Sequence, residues 1–549
     1  MKDKRTASNK PSLMGQEVLN GTISILQTSL KSPKKLIQEP FSLLGDLSSV
    51  LLGKSVNEAS SLDRRFKDDT WEKNPVYKRV METYLALSNR SEAYLNDLDL
   101  DEQNDRRSKF LLTNILSTIS PTNTLIANPQ ALKKAYETGG ASLLKGGKNF
   151  VDDLFHNGGM PSLVDKSAFE VGENLAVTEG KVIYRTNMLE LIQYTPTTKQ
   201  VHSTPLLMVP PQINKFYVYD IAPGRSFIEY IVSQGFQVFA VSWKNPGPDE
   251  RDWNFNKYVL ALEDVCEVIN EVSGSDEINC LGACSGGITT ASLLGYLAAK
   301  EIRTISSFTL LVGVLDSGSV GDTSLGLFIQ REILEVAKLA SSRSGILKGE
   351  DLAKIFAWLR PNDLIWPYWI NNYLLGESPP EFDLLFWNSD TTNLPAGLHK
   401  DFLTMLEDNP LVKSGEFEIG GKPIDLKKVT CDSYVVAGST DHITPWESCY
   451  KTVNLLGGKT DFILSSSGHV QAIINPTNNP KAEFFTTTDA CKDSEEFLEK
   501  AERMEGSWWS HWSSWLSKRS GKKKAAPKKS GNDEYPVLGN APGNYAREK

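Results

Sequence analysis

The sequence predicts an α/β protein with a mostly parallel, doubly wound sheet, a cap or lid insertion and a helical N-terminal domain. Three observations lead to this class. Helical periodicity dominates residues 1–160. Strand-like runs alternate with helical stretches in 161–316 and 428–500. In 317–427 this alternation is missing. Strands that alternate with helices favour a parallel sheet covered by helices on both faces. The chain of 549 residues, 40% hydrophobic and 23% charged, has an ordinary globular composition.

The N-terminal domain, residues 1–160, is expected to consist of helices. In Leu19–Leu30 and Leu43–Leu51, apolar residues recur three and four positions apart, as they do on one face of a helix. Pro33 and Pro40 are expected to break these stretches into short amphipathic pieces. Two interpretations of the apolar faces stay open: packing within the domain, or docking onto a lipid-like surface or a protein partner.

Longer helices are predicted after these pieces, over Pro75–Asn96, Arg106–Thr118 and Pro129–Leu144. The pairs Gly139-Gly140 and Gly146-Gly147 are expected to end helices, because glycine has a low helix propensity.

Residues 161–316 and 428–500 are expected to form the two parts of one sheet-containing core. Short apolar runs in them are typical of strands buried on both faces, and two alternating runs predict a hairpin. The predicted strands are Lys181–Arg185, Leu189–Tyr194, Pro205–Val209, Phe236–Val241, Ile278–Leu281, Phe308–Val314, Ser433–Val436 and Phe462–Leu464.

The insertion, residues 317–427, is crowded with aromatic residues between Phe356 and Trp387. This favours a cap or lid over a site, and the alternative is a helical subdomain with its own core and no gating role. Residues 501–549 form an aromatic and basic tail. Its run Lys518–Lys529 has seven positive residues and no acid, which most simply indicates a solvated stretch.

Composition excludes several classes of function. The net charge of −9 makes nucleic acid an unexpected partner. No apolar run follows the charged start Met1–Arg5, so no secretory signal is predicted. The longest apolar stretch, Phe308–Leu315, is shorter than the roughly 20 residues that span a bilayer, so we expect a cytosolic protein. Six cysteines without a CxxC pair predict neither a disulfide framework nor a zinc site, and we expect no metal and no cofactor.

The sharpest chemical signal is the hexapeptide Gly282–Gly287, which reads Gly-Ala-Cys-Ser-Gly-Gly and lies between a predicted strand and a predicted helix, Ile288–Lys300. It fits a G-x-C-x-G form of the nucleophile elbow, in which small residues flank a reactive side chain on a tight strand-to-helix turn. A Cβ on either flanking glycine is expected to clash where the strand and the helix meet. The alternative is an inert buried cysteine at Cys284.

A cysteine nucleophile needs a histidine base and a carboxylate, which follow the elbow in the order acid, then histidine. Asp441 and His469 each follow a predicted strand, so they are the expected partners of Cys284. His442 is a competing base, but neighbouring residues that leave one strand seldom reach one target, so it is given a supporting role. The alternative for His469 is a hydrogen-bonded surface histidine.

An oxyanion formed on Cys284 is expected to meet the backbone N–H of Ser285 and the positive end of the helix. The second donor should come from the loop after the strand Pro205–Val209, with the backbone amides of Ile213 and Asn214 as candidates.

Sulfur as the nucleophile constrains the reaction. A thiol has a pKa of about 8.5 that falls beside a histidine, so it reacts at neutral pH. A thiolate that attacks a thioester forms another thioester and preserves the activation of the acyl group. Transfer to a hydroxyl then gives an oxoester, whereas transfer to water is hydrolysis.

The sequence resembles the polyhydroxyalkanoate synthases, most closely the class II, medium-chain-length type, over nearly the whole chain. The motifs that carry the resemblance are the elbow, Asp63–Phe66 with Trp71 and Asn74-Pro75, Ser120–Thr124, Pro211–Tyr217, Ser242–Pro246, Asn362–Trp366, Phe386–Asn388, Ala437–Trp446, Ser467–Gln471 and Trp508–Trp512 with the lysine-rich tail.

The resemblance implies an α/β-hydrolase-fold acyltransferase that polymerises (R)-3-hydroxyacyl-CoA, releases CoA, forms a homodimer and works in the cytoplasm on the surface of the polyester granule. Cys284 would carry the chain and His469 would deprotonate it. Asp441 would either orient His469 or activate the substrate 3-hydroxyl. Ser467 and Gln471 would contact the acyl group.

Ser285 is a departure from the class II type, which commonly has alanine there, whereas the short-chain type has a larger residue. The N-terminal helices, which would also support the dimer, and the aromatic tail would suit attachment to the granule or its coat proteins, with packing on the catalytic domain as the alternative. Two other functions are weighed: a cysteine-elbow hydrolase of the dienelactone-hydrolase kind, and a non-catalytic granule scaffold.

Overall fold

The computed structural model describes residues 33–55, 57–61, 63–318 and 331–548, together with the single residues 28 and 326. These residues group into two units. The first extends to Asp165 and includes Lys354–Glu381, and the second comprises Lys166–Ala353 and the chain from Phe382 onward.

The first unit is helical. Its N-terminal helices are Pro33–Leu51, Thr70–Lys73, Pro75–Asn96, Glu102–Thr118, Pro129–Glu137 and Ala141–His156. Pro40 lies inside the first of them, so the expectation that it breaks the helix is wrong. Gly139-Gly140 ends a helix as predicted. Gly146-Gly147 lies within the helix Ala141–His156, so the expectation that it ends a helix is wrong. A Cβ on Gly146 would overlap the backbone of Tyr373, so glycine at this position permits the helix to pack closely against Tyr373. The apolar stretch 19–30 falls outside the described residues, apart from residue 28.

An eleven-stranded sheet forms the centre of the second unit. Its strands in chain order are β1 Gly180–Arg185, β2 Leu189–Tyr194, β3 Leu206–Val209, β4 Val238–Trp243, β5 Ile278–Ala283, β6 Ile305–Leu311, β7 Asp432–Gly438, β8 Thr460–Ser465, β9 Glu483–Thr486, β10 Glu502–Glu505 and β11 Gly539–Asn540. Their order across the sheet is β10-β9-β8-β7-β6-β5-β3-β4-β2-β1-β11. The six strands from β8 to β4 in this order are parallel, and the outer strands pair antiparallel.

Helices cover both faces of this sheet, as the doubly wound fold class predicts. Leu207 and Val209 of β3 pack in the core cluster that includes the helices Phe255–Ser273 and Cys284–Ala299. Their neighbours Leu206 and Met208 point to the other core cluster. This alternation follows from the two-residue period of a strand. The remaining α-helices among the described residues are Phe227–Ser233, Arg331–Ser344, Gly349–Leu359, Pro361–Leu364, Trp366–Trp369, Asp383–Ser389, Ala396–Asp408, Trp446–Tyr450, Thr452–Leu455, His469–Ile473, Ser494–Lys500 and Trp508–Ser517.

The aromatic part of the tail packs on the face of the sheet to which Leu206 and Met208 point. Trp508, Trp509 and Trp512 are buried, and the Trp509 ring stacks on Phe227 with centroids 4.7 Å apart. The packing interpretation therefore holds for this helix. The basic run after it is not a free solvated stretch, because the backbone of Lys523–Ala525 pairs with Gln200–His202 and the Lys524 ammonium donates to the carbonyl oxygen of Ser273 at 2.8 Å.

Residues 317–427 are mostly helical in their described part, and Lys354–Glu381 groups with the first unit. The role of this insertion as a lid stays a prediction. No described helix combines the length and the apolar character that crossing a bilayer requires.

Candidate active site

Cys284 lies at the junction of β5 and the helix Cys284–Ala299. The strand ends at Ala283, whose backbone is extended, and the helix begins at the cysteine itself rather than at Ile288. Cys284 has a φ of 49°, in the left-handed region that few residues other than glycine adopt. Such local strain persists only where the surroundings impose it and is common at functional sites. The thiol is partly exposed.

The glycines of the elbow permit close contact between elements. A Cβ on Gly282 would lie 2.7 Å from the Cα of Gly287 in the helix. This confirms the predicted clash between strand and helix. On Gly286 a Cβ would instead overlap the backbone of Pro210, which follows β3. The second glycine therefore brings the elbow against the loop after β3.

Asp441 and His469 come together at the end of two adjacent parallel strands. Gly438 of β7 pairs with Ser465 of β8, so the segments that follow both strands leave the sheet at one edge. His469 Nδ1 donates to Asp441 Oδ2 at 2.6 Å. Cys284 is close enough to His469 to contribute to the rise of its pKa. The structure thus brings the sequence-predicted cysteine, histidine and aspartate together, with a hydrogen bond between the histidine and the aspartate.

Four hydrogen bonds reach the carboxylate of Asp441. Its Oδ1 accepts from the backbone N–H groups of Ile443 and Thr444, at 2.8 and 3.0 Å. Its Oδ2 accepts from His469 and from the Thr444 hydroxyl, the latter at 2.6 Å. The side chain of Asp441 is fully buried, so these donors replace the water that a carboxylate needs.

Asp441 and His469 form a charged pair despite their burial. Burial alone would raise the pKa of Asp441, but the positive charge of His469 and the hydrogen bonds from His469 and Thr444 lower it. Burial likewise opposes protonation of His469, yet the Asp441 charge and the hydrogen bonds to Asp441 and Cys284 raise the pKa of His469 to about 10. The imidazole is therefore held in its protonated form at neutral pH.

The candidate oxyanion donors lie on both sides of the elbow. Ser285, in the first turn of the helix, has a backbone N–H at a position where helices leave such groups unpaired. Its hydroxyl accepts a hydrogen bond from the backbone N–H of Gln212 at 3.2 Å, so the loop after β3 is joined to the elbow. Within the described part of the chain, the backbone N–H groups of Ile213 and Asn214 donate to no other protein group.

The remaining predicted residues lie around this centre. His442 is half-buried beside Asp441, but the carboxylate bonds described above go to His469 and not to His442. Ser467 is half-buried and hydrogen-bonded to Ser465 at 2.8 Å, and Gln471 is exposed on the helix that begins with His469.

Thr444 was missed by the sequence reasoning, although it contacts both Asp441 and His469. The signal that could have found it is the spacing of three residues between Asp441 and Thr444, since an aspartate often accepts from backbone and hydroxyl groups two and three residues later. Among the described residues, no group of histidine, cysteine, aspartate and glutamate has the arrangement of a metal site.

The fold and this site define the class: an α/β-hydrolase-fold protein with a cysteine elbow. Residues 205–476 match the family model of the alpha/beta hydrolase fold, and residues 62–231 match the model described as the N-terminus of poly-beta-hydroxybutyrate polymerase (PhaC). The chain is 46% identical over 534 residues to poly(3-hydroxyalkanoate) polymerase 1 of Ectopseudomonas oleovorans, covering 97% of this chain and 95% of that protein.

A second relative, the poly(3-hydroxyalkanoate) polymerase subunit PhaC of Cupriavidus necator, is 37% identical over 505 residues, which cover 90% of this chain and 85% of that one. Among solved structures, a monoacylglycerol lipase of Paleococcus ferrophilus aligns with a TM-score of 0.32 and 13% identity, over 60% of this chain and 99% of that one. The chain belongs to the poly(3-hydroxyalkanoate) polymerase family and is an enzyme of the acyltransferase type. The resemblance that its motifs indicated is confirmed.

Proposed function

We propose that the protein polymerises (R)-3-hydroxyacyl-CoA of medium chain length into polyhydroxyalkanoate, with release of CoA, through an acyl thioester on Cys284. The observation that carries this proposal is the hydrogen-bonded pair of Asp441 and His469 beside Cys284 in a chain of this family. The names of the relatives support the class of substrate and product.

The first half of the cycle loads an acyl group onto Cys284. The Cys284 thiol gives its proton to His469, which accounts for the protonated imidazole described above, and the sulfur attacks the carbonyl carbon of the CoA thioester as a thiolate. The oxyanion that forms accepts hydrogen bonds from the N–H of Ser285 and from Ile213 or Asn214. The bond between that carbon and the CoA sulfur then breaks, the sulfur receives the proton from His469, and CoA leaves.

The second half transfers the acyl group to an alcohol. An acylated sulfur no longer provides the charge and the hydrogen bond from Cys284 that help to raise the pKa of His469. The neutral imidazole then accepts the proton of the 3-hydroxyl of the next hydroxyacyl-CoA, whose oxygen attacks the thioester carbonyl. An ester forms, Cys284 is released as a thiolate beside protonated His469, and the lengthened chain reloads through its own CoA thioester.

Asp441 acts in this scheme by orienting His469 rather than by activating the substrate hydroxyl. Its two oxygens already accept four hydrogen bonds, and its side chain has no exposed surface. A third group would have to displace one of these donors. His442 has a supporting role, and Ser467 and Gln471 contact the acyl group, so substitutions there should change the chain-length profile of the polymer.

The enzyme works as a homodimer in the cytoplasm at the surface of the polyester granule, where granule coat proteins are further partners. Exposed apolar side chains in the first unit support association with an apolar surface: Tyr136, Leu144 and Phe155 are 89%, 80% and 75% exposed. The buried tryptophans of the helix Trp508–Ser517 lend no support to a second attachment site there.

The deciding experiment measures CoA release and product with a chain-length series of 3-hydroxyacyl-CoA thioesters, including 3-hydroxyoctanoyl-CoA. Polymer plus CoA is the expected result, and free hydroxy acid would instead indicate a hydrolase. Cys284→Ala should abolish CoA release, and Cys491→Ala is the matched control at another free thiol. CoA release that is no faster than without protein, and equal in Cys284→Ala and the unsubstituted chain, would leave only the non-catalytic scaffold. In the same assays, His469→Gln should slow acylation of Cys284.

A further inference from the structure

Lys215 is a buried cation next to the candidate oxyanion loop, defined here as Pro210–Lys215. Only 2% of the residue is exposed. A buried ammonium is costly unless its donors are satisfied. Its Nζ donates to two backbone carbonyl oxygens, those of Tyr545 at 3.1 Å and Glu548 at 2.5 Å. The chemistry proposed above leaves Lys215 without a role.

The segment that supplies these carbonyls, residues 539–548, is firmly seated. It begins as β11, which pairs with β1, and its chain then turns to Glu190. Glu190 is fully buried, and its Oε2 accepts from the backbone N–H groups of Asn544 and Tyr545, at 2.8 and 3.1 Å. Arg185 neutralises the same carboxylate through Oε1 at 2.6 Å. The segment whose carbonyls Lys215 contacts is therefore held by the buried carboxylate of Glu190, which Arg185 neutralises.

The oxyanion loop is thus held at both ends. At one end, Gln212 donates its backbone N–H to Ser285 and accepts at its carbonyl from the Thr392 hydroxyl at 2.9 Å. At the other end, the Lys215 carbonyl accepts from the indole N–H of Trp387 at 2.8 Å, while its ammonium reaches the segment 539–548. Ile213 and Asn214 lie between these anchors, and Asn214 has a strained φ of 67°. A backbone in this conformation needs support from its surroundings.

We propose that Lys215 is a positioning residue for the acylation step: by holding the carbonyls of Tyr545 and Glu548, its ammonium fixes the loop that presents the N–H groups of Ile213 and Asn214 to the oxyanion. This inference rests on the proposed function, because it concerns the oxyanion formed when Cys284 attacks a thioester. The segment 539–548 then affects catalysis indirectly, because its carbonyls hold the Lys215 ammonium in place.

Two reactions of one sulfur test the proposal. Acylation by 3-hydroxyoctanoyl-CoA passes through an oxyanion, whereas alkylation by iodoacetamide displaces iodide and forms none. In Lys215→Met, the first-turnover release of CoA should fall by about 10- to 1000-fold, since loss of an oxyanion donor costs up to about 10³ in rate. The rate of Cys284 alkylation should stay within about twofold, because the hydrogen bonds to His469 are untouched.

The matched control is Lys244→Met, which removes a neighbouring cation that pairs with Glu250 and should leave both rates unchanged. A second variant, Gly543→Ala, perturbs the segment without changing Lys215. Gly543 has a φ of 85°, and its added Cβ would overlap the carboxylate of Glu190. It should show the same selective loss of acylation, and it decides the question alone if Lys215→Met does not fold.

Unchanged acylation in Gly543→Ala or in folded Lys215→Met would overturn the proposal, as would equal losses of acylation and alkylation. If the unsubstituted enzyme releases no CoA, the proposed function fails instead, so the two failures are distinguishable.

Discussion

Replacing Asp441 by asparagine should change how the activity of this enzyme depends on pH. The substitution keeps the shape of a side chain that has no exposed surface and removes its charge. That charge is the leading cause of the raised pKa of His469. In the Asp441→Asn variant, burial of the imidazole is no longer offset, so His469 should lose its proton at or below its ordinary pKa.

The size of the effect follows from the pKa of His469. A rise from 6.5 to about 10 corresponds to about 5 kcal/mol in favour of the protonated imidazole. Because the pKa is raised, the stabilised protonated form is complete below pH 6.5 and is lost as the pH rises toward about 10. In the variant, the alkaline limb of CoA release should move from about pH 10 to about 6.5 or lower. At neutral pH the rate should fall by about 10³- to 10⁴-fold, as when a buried aspartate behind a catalytic histidine becomes asparagine.

The assay is CoA release across a pH range that brackets both values, with iodoacetamide alkylation of Cys284 followed in parallel. Asp432→Asn is the control, because it removes a carboxylate from the opposite end of the same strand, β7. An Asp441→Asn enzyme with an unshifted alkaline limb would refute the argument that Asp441 sets the charge of His469. Near-normal turnover at neutral pH would refute it too.

Other consequences can be measured on single variants. Thr444→Val removes a 2.6 Å hydrogen bond to Asp441, which should cost about 1.5–3 kcal/mol or roughly 10- to 100-fold in the rate of CoA release. Thr444→Ser keeps the hydroxyl and should retain most of the rate. A wild-type rate in the valine variant would contradict the role of Thr444 in holding Asp441. Gly286→Ala should lower both turnover and the unfolding temperature, because its Cβ would overlap Pro210, whereas Gly147→Ala, with nothing within 4 Å, should not. Trp512→Ala should cost about 3–5 kcal/mol of stability, seen as a lower unfolding temperature, and an unchanged value would mean that the helix is not part of the core.

The central strands and the order of the site residues along the chain could be predicted because both depend on local sequence patterns. β3 to β8 are short apolar runs buried in the sheet, and the small residues around Cys284 are typical of one kind of strand-to-helix turn. Asp441 and His469 follow strands whose parallel pairing places their ends at one edge. A pattern of this kind needs no knowledge of distant contacts.

The outer strands and the anchors of the oxyanion loop could not be predicted in the same way. The residues of β10, Glu-Arg-Met-Glu, are all exposed and lack apolar alternation, so only backbone pairing with β9 makes them a strand. Glu190 and Lys215 look like surface residues in the sequence, and their burial depends on partners more than 300 positions away. Pro40 and Gly147 lie within helices although both residue types have a low helix propensity, so local propensity alone misplaced these helix ends.

The two edge strands of the sheet limit how copies of this enzyme can associate. One edge strand, β10, is exposed and carries two glutamates and an arginine, and the other, β11, is only two residues long. Charged or very short edge strands discourage strand addition by a second chain. Self-association that continues the sheet from copy to copy is therefore disfavoured. Contacts between copies should instead use helices and loops.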